Sequence, residues 1–448
     1  MKFCTISTLS HMHRTKVMAL SLKRHYPEAT LILCLVEQTN ELDRATRACF
    51  DDVVLAKDFG IPNFQSIMFG YEVREATCSL KGDLLEYMFN RYPEEIDFIY
   101  VDSDIKFFSR MDEIEGILNN YSLVVTPHVL RNPHSDFVDF WGIYNTGFIA
   151  LRRSKEGYQF LEWWKDKLRY QCYIDREKGI FLDQSWLNVV PSFINTYVMY
   201  HPGYNISFWN LHEAERRFTS FDQRHMFSSG ARVIFFHFSC LTNEFMGFAN
   251  NPEYDPSGVV RHYVYEYLND LESTGLMHMV NSSWSYAYYY DGSKIDPDVK
   301  SKYRQAVELH ASGFDPYLGY EKRIRKTNKS IHPIVHPRKT KPSTVGHAIK
   351  NPRHSVKRKV VSKRKLRVIK KIKSRNKRNP LQFRKILTPK INRKRIRRAI
   401  NKMWRIQTKR KKNKVLYWAV PHKKPQSKRT KSSMIVYRNR IKARIKAS

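Results

Sequence analysis

Apolar residues fall in short, near-continuous runs over the first 130 positions, and stretches of mixed polarity separate them. "FCTIST" at 3–8 is a short mixed run compatible with a buried strand, and "TLILCLV" at 30–36 is a stronger one. Between them, from Ser10 to His25, Met12, Val17, Met18, Leu20 and Leu22 sit among Lys and Arg. That spacing predicts an amphipathic helix closed off by Pro27. The alternation continues through "DVVLA" at 52–56, a helix over Glu72 to Arg91, "FIYV" at 98–101 and "SLVVT" at 122–126. Strand and helix in turn predict an α/β fold: an open, mostly parallel sheet with helices on both faces.

Charge divides the chain where hydropathy does. From Glu321 to Ser448 there are 48 Lys and Arg against a single acid, whereas the first 320 residues hold 31 basic and 41 acidic side chains. The net +37 of the whole chain is therefore the property of a tail. Its prolines come early ("HPIVHPRKTKPS"), and so much charge with so little to bury predicts disorder in isolation. One stretch, "RKRIRRAINKMWRI", places Ile396, Ile400, Met403 and Trp404 at helical spacing, so an amphipathic helix is expected near 391–407. Such a helix can lie on an anionic membrane surface or dock on a polyanion, nucleic acid included.

The six cysteines (Cys4, Cys34, Cys49, Cys78, Cys172 and Cys240) stand singly with no C-x-x-C pair, which reads as reduced thiols rather than a disulfide framework or zinc site. The opening "MKFCTISTLSHMHRTK" lacks the apolar core of a secretory signal, and no window of about 18 apolar residues offers a spanning helix. A cytoplasmic protein is expected, peripheral at the inner membrane surface if the tail binds lipid. On that expectation the N-x-S/T matches at Asn205, Asn281 and Asn328 are chance.

The chemistry concentrates at "FIYVDSDIKFF". Ligands of open α/β sheets bind beyond the carboxyl ends of the strands, and Asp102 and Asp104 lie just past such an end. On extended backbone, residues two apart point the same way, so both carboxylates can face one ion. Two hard oxygen donors plus the oxygens of a diphosphate suit Mg²⁺ or Mn²⁺. A helix cap or a loop acid is the other reading of the triplet. Asp296 and Asp298 in "KIDPDVK" repeat the spacing but flank a proline in a polar stretch, which predicts only a turn or helix start.

"FIYVDSDIKFFSRMDEI" resembles the D-x-D segment of GT-A-fold glycosyltransferases, particularly glycosyltransferase family 8 and related bacterial enzymes. "YNTGFIALRRS" at 144–154, "FLDQSWLNVVP" at 181–191, "HPGYNISFWNL" at 201–211 and "FFHFSC" at 235–240 follow in that group's order, so the likeness spans roughly residues 1–245. It implies a GT-A-like, Rossmann-like nucleotide-binding core and a division into 1–275 (transferase domain), 276–320 (extension) and 321–448 (tail). It further implies a sugar moved from a nucleotide-diphosphate donor, with UDP as the expected nucleotide, to an acceptor that the residues do not name. Asp102, Asp104 and His237 would be the metal ligands, with Mn²⁺ favoured over Mg²⁺ because imidazole is a softer donor. Lys81, in "CSLKGDLL", matches a basic position that offsets phosphate or a site acid, and Thr5 to Thr8 mark where the uridine would lie. Asn145, Asp183 and Gln184 match the motifs that line the sugar: Asp183 contacts donor hydroxyls, and Gln184 lies where a nucleophile or cation-stabilising group sits. Asp183 can equally cap the helix "QSWLNVV". Asn205 and Trp209 are expected to shape the donor or acceptor pocket, and His128 is a further candidate. Related enzymes retain anomeric configuration. Cys240 stands where the group has glycine, which brings the backbone path beside the diphosphate into question. The competing class is a catalytically inactive, transferase-like scaffold whose tail binds nucleic acid or another polyanion.

Overall fold

The computed structural model describes residues 1–131, 138, 141–241, 245–252, 255–305 and 315–319; the tail, with the helix expected near 391–407, lies outside them. The described strands are β1 (Lys2–Ser7), β2 (Thr30–Leu35), β3 (Asp52–Leu55), β4 (Asp97–Val101), β5 (Ile105–Phe107), β6 (Leu123–Pro127), β7 (Tyr144–Arg152), β8 (Ile174–Asp175), β9 (Ile180–Phe181), β10 (Thr196–Val198) and β11 (Phe235–His237). Seven of them form one sheet in the order β10-β6-β7-β4-β1-β2-β3. β1 runs parallel to β2 and β4, β2 to β3, and β6 to β10, while β7 alone runs antiparallel to both its neighbours, β4 and β6. The open, mostly parallel α/β sheet expected from the apolar runs is what forms.

Alternation along β1 and β4 sorts the two faces. Phe3, Leu31, Leu33 and Ile99 pack with Met12, Met18 and Leu22 of the helix Met12–His25. That helix ends two residues before Pro27, as the proline requires. The opposite face, represented by Phe98, meets Phe89 of the helix Lys81–Arg91 with ring centroids 5.0 Å apart. Fully buried aliphatic and aromatic side chains on these faces leave the polar chemistry to the strand ends.

One expectation is corrected. The helix read over Glu72 to Arg91 is two, Val73–Ser79 and Lys81–Arg91, turning at Leu80 (φ −94°, ψ 0°). Glu72 and Glu75 form a reciprocal capping box at the start of the first. Periodicity did not show the break because Leu80 is an ordinary helix former; tertiary packing imposes it. Gly82 shows how tight that packing is, since a Cβ there would lie 2.7 Å from Cγ of Lys165 on the helix Lys155–Gln171. The turn presents Lys81 at the start of the second helix.

β5 leaves the main sheet and pairs antiparallel with β11, His237 opposite Ile105, so a residue distant in sequence returns to the end of β4. Downstream, Trp284 Nε1 donates to the Val36 carbonyl at 2.8 Å, and Ser285 N and Oγ donate to Glu37 Oε2 at 2.9 and 2.6 Å. The chain after 276 is thereby fastened to the end of β2. Asp296 accepts from the Asp298 amide at 2.8 Å and opens the helix Pro297–Gln305, the helix start read from "KIDPDVK".

Candidate active site

A cavity of about 420 Å³ opens at the carboxyl ends of β1 and β4, within the size range of small-molecule sites. Asp102 follows β4 directly, and its amide donates to the Gly147 carbonyl of β7 at 2.8 Å. His237 Nε2 lies 3.0 Å from Asp104 Oδ1 and 3.8 Å from Asp102 Oδ2. One ligand atom from each of the three residues falls within 4.8 Å of the others. On its other side His237 Nδ1 meets Asn205 Oδ1 at 3.1 Å, which makes Nδ1 the protonated nitrogen and turns the Nε2 lone pair to the carboxylates. Lone pairs from an imidazole and two carboxylates cannot converge at that distance without a positive charge between them, a proton or a metal ion. Two oxygens and one nitrogen fit Mn²⁺ or Mg²⁺. Burial would raise the Asp104 carboxyl, but His237 and Arg14 outweigh it and hold the group well below the usual carboxylate range.

Behind this cluster Lys81, 3% exposed, makes contacts in three directions. Its Nζ is 3.1 Å from Asp102 Oδ1, 2.8 Å from Asp183 Oδ2, and donates to the Thr146 carbonyl and hydroxyl at 3.0 and 3.2 Å. Burial alone would drive off its proton, yet Asp102 and Asp183 outweigh burial and hold Lys81 above the ordinary lysine range. Tyr100 donates a further 2.7 Å hydrogen bond to Asp102 Oδ1. The lysine therefore joins the acid after β4 to the acid before the helix Gln184–Leu187. Asp183 occupies that helix's N-cap position without a side-chain capping bond, so its carboxylate serves Lys81 and the cavity instead of the cap.

The expected sugar face also assembles. Asn145 Nδ2 reaches Gln184 Oε1 at 3.5 Å, Gln184 Nε2 donates to the Trp141 carbonyl at 2.5 Å, and all three of Asn145, Asp183 and Gln184 line the cavity. Thr8 lines it too, whereas Thr5 does not: it is fully buried two residues back from the carboxyl end of β1, where Ile6 and Ser7 reach the cavity instead. Trp209 packs edge-on against His237, centroids 5.4 Å apart, and against His128 at 5.5 Å, which makes it a backing for the ligand ring rather than a cavity wall. Burial pushes His128 down to about 3.

Backbone strain gathers around the cavity. Leu182 (φ 53°) and Cys240 (φ 52°) line it, and Asn205 (φ 51°) supports His237; all three are left-handed residues with side chains. Cys240 thus adopts the conformation that the glycine of the resembling motif would take without strain, at a cost of about 1–2 kcal/mol. Sequence reasoning missed two participants. Gly147 is required because a Cβ there would sit 2.5 Å from His237 Cε1 and 2.8 Å from Asn145 Oδ1. Arg14 is the other, with Nη1 3.4 Å from Asp104 Oδ2. The glycine of "YNTGF" was a signal for close approach; nothing in the sequence around Arg14 distinguishes it from a solvated helix residue.

No family model matches the chain. The uncharacterised protein YfnF of Bacillus subtilis (strain 168) is 24% identical over 245 residues, covering 53% of this chain and 80% of the relative. Among solved structures, the galactosyltransferase LgtC in complex with donor and acceptor sugar analogues is 14% identical, covering 61% of this chain and 96% of LgtC, with a TM-score of 0.40. Mouse xyloside xylosyltransferase 1 in its apo form is 15% identical, covering 54% of this chain and 98% of the mouse chain, with a TM-score of 0.34.

Proposed function

We propose that the protein is a metal-dependent glycosyltransferase that moves a sugar from a nucleotide-diphosphate donor, UDP the expected nucleotide, to an acceptor. One observation carries the reading: the ligand atoms of Asp102, Asp104 and His237 converge in the same cavity that Asp183, Gln184 and Asn145 line from the other side. Glycosyl transfer needs that pairing, because the leaving diphosphate gains negative charge while the anomeric carbon gains positive charge. A divalent cation, Mn²⁺ or Mg²⁺, held by Asp102, Asp104 and His237 would supply the charge that stabilises the departing diphosphate.

The chain's own residues do the rest. Lys81 keeps Asp183 and Asp102 in fixed positions, so sugar hydroxyls and phosphate are held on one rigid frame. Gln184 and Asn145 line the sugar face, with Asn145 Oδ1 anchored by the Gly147 amide at 2.9 Å and Asn145 Nδ2 3.5 Å from Gln184 Oε1, so the pair is held where a retaining transfer would need it. Asn205 fixes the His237 ring, and Gly147 leaves room for it. Among the described residues no helix is long and apolar enough to cross a membrane. The Lys/Arg-rich segment 321–448 is proposed to hold the enzyme to an anionic surface at the cytoplasmic face of the membrane, or to a polyanion.

The test is release of UDP from UDP-glucose, UDP-galactose and UDP-N-acetylhexosamines by the full chain, with Mn²⁺ and with chelator. Metal-dependent release that vanishes in Asp104→Asn supports the reading. Neither release nor nucleotide binding would instead favour the scaffold whose tail binds polyanions. For the tail, binding to phosphatidylserine vesicles or to nucleic acid that is lost at about 1 M salt is expected; equal retention by a chain ending at residue 320 would remove the tether.

A further inference from the structure

The two oxygens of Asp104 have different partners. Oδ1 faces His237 Nε2 at 3.0 Å, and Oδ2 faces Arg14 Nη1 at 3.4 Å. That same Nη1 donates to the Phe238 carbonyl at 3.3 Å, next to His237 in sequence. Both of these contacts are long and both use one nitrogen, although a guanidinium carries five donors in a planar fork. Lys81, by contrast, spends its three donors on Asp102, Asp183 and Thr146 at 2.8 to 3.2 Å. Of these two lining cations, Lys81 is committed to the protein and Arg14 is loosely held at the cavity wall.

The two partners of Asp104 give the looseness a purpose. Asp104 meets His237 through one oxygen and Arg14 through the other, and a metal held by Asp104 and His237 would leave Arg14 the cation at the wall nearest an incoming diphosphate. A cation on Asp104 also takes over the charge that Arg14 screens. We infer that Arg14 is an exchangeable counter-ion: it neutralises Asp104 while the site holds no metal, and it turns its fork to the donor's diphosphate once a metal holds Asp104. Planar, two-pronged recognition of phosphate is what arginine does better than lysine. The inference rests on the transferase reading and adds a residue that the sequence motifs do not mark.

The exchange predicts changes of opposite sign in two binding constants, which a merely structural arginine does not. Calorimetric titration of the full chain measures Mn²⁺ alone, then the tightest-binding of UDP, GDP and CDP at saturating Mn²⁺. Arg14→Gln removes a competitor for Asp104, so Mn²⁺ alone binds about two- to fivefold tighter, the scale of a partly exposed ion pair. The same variant binds the nucleotide roughly tenfold or more weakly, the scale of a hydrogen bond to a charged group. Arg14→Lys keeps the charge without the fork: Mn²⁺ affinity stays near that of the parent while nucleotide affinity falls. This second variant decides the matter if thermal melts show Arg14→Gln to be unfolded. Loss of both affinities together in both variants, or nucleotide affinity unchanged in both, overturns the inference and leaves the transferase reading standing. A parent protein that binds Mn²⁺ but none of the three nucleotides overturns both.

Discussion

Two of the three lysines buried among the described residues contrast the chemical and the structural parts of the body. Lys81, at the cavity, is 3% exposed and lies against two carboxylates, Asp102 and Asp183. Lys300, on the helix Pro297–Gln305, is 2% exposed, and its Nζ donates to the carbonyls of Tyr71, Tyr286 and Phe69 at 2.9, 3.3 and 3.4 Å. Burial costs both, and their partners set the outcome. The carboxylates hold Lys81 above its ordinary range, whereas burial pushes Lys300 down from 10.5 to about 8, with only Glu72 and Glu75 nearby to oppose it. Carbonyl dipoles satisfy the ammonium's hydrogen bonds but not its charge. Carboxylate pairing does not by itself mark a site, since Lys106, 1% exposed, is paired with Glu266 and Asp270 away from the cavity; Lys81 is set apart by the cavity that its two acids line. Lys300, paired with dipoles, serves as a clasp.

Breaking the chemical part should have the larger effect. Lys81→Met leaves Asp183 buried without its counter-ion, and a loss of about 3–5 kcal/mol in unfolding free energy is expected, read by urea denaturation, together with loss of donor turnover. A loss under about 1 kcal/mol would mean that Lys81 is not the hub its contacts describe.

Next in size, Gly147→Ala pushes a methyl onto the His237 ring and the Asn145 amide. Mn²⁺ affinity should fall about 10- to 100-fold, the scale for disturbing the support of a metal ligand, with Lys300 and the clasp untouched. Titration calorimetry reads it, and an unchanged affinity would take His237 out of the metal site.

The clasp shows itself through pH. Because the folded Lys300 releases its proton near 8 and an unfolded lysine near 10.5, the unfolded chain binds more protons between those values, so this group makes stability rise with pH across that window. The stability of the parent relative to Lys300→Met should therefore climb by up to about 2 kcal/mol from pH 8 to 10, measured by denaturant melts at each pH. A flat difference would show Lys300 to have an ordinary proton affinity.

The smallest effect is expected at Cys240→Gly. Relief of the left-handed strain should add about 1 kcal/mol to stability. If the variant is less stable, the cysteine side chain holds the turn more firmly than its backbone strains it.

Much of this was legible in the chain because it depends on neighbours in sequence. Near-continuous apolar runs make β2 and β4 buried strands whatever lies beyond them, and Pro27 stops the first helix locally. Asp102 and Asp104 follow their strand directly, so their place at the carboxyl edge came with the strand, and the excess of Lys and Arg after residue 320 is a matter of composition. The motifs carried Lys81, Asn145, Asp183, Gln184 and His237 to one cavity.

What tertiary structure decided are the meetings. The antiparallel course of β7, the turn at Leu80 and the β5 to β11 pairing that delivers His237 each depend on surfaces far apart in sequence. The same holds for Asn205 behind His237, Arg14 beside Asp104 and the clearance at Gly147. Thr5, placed by sequence at the cavity, stays within β1 while Ile6, Ser7 and Thr8 at the strand's carboxyl end reach it. Local periodicity determines what a segment becomes; only the closed chain determines which charge each side chain meets, because that distance exists only after the sheet has formed.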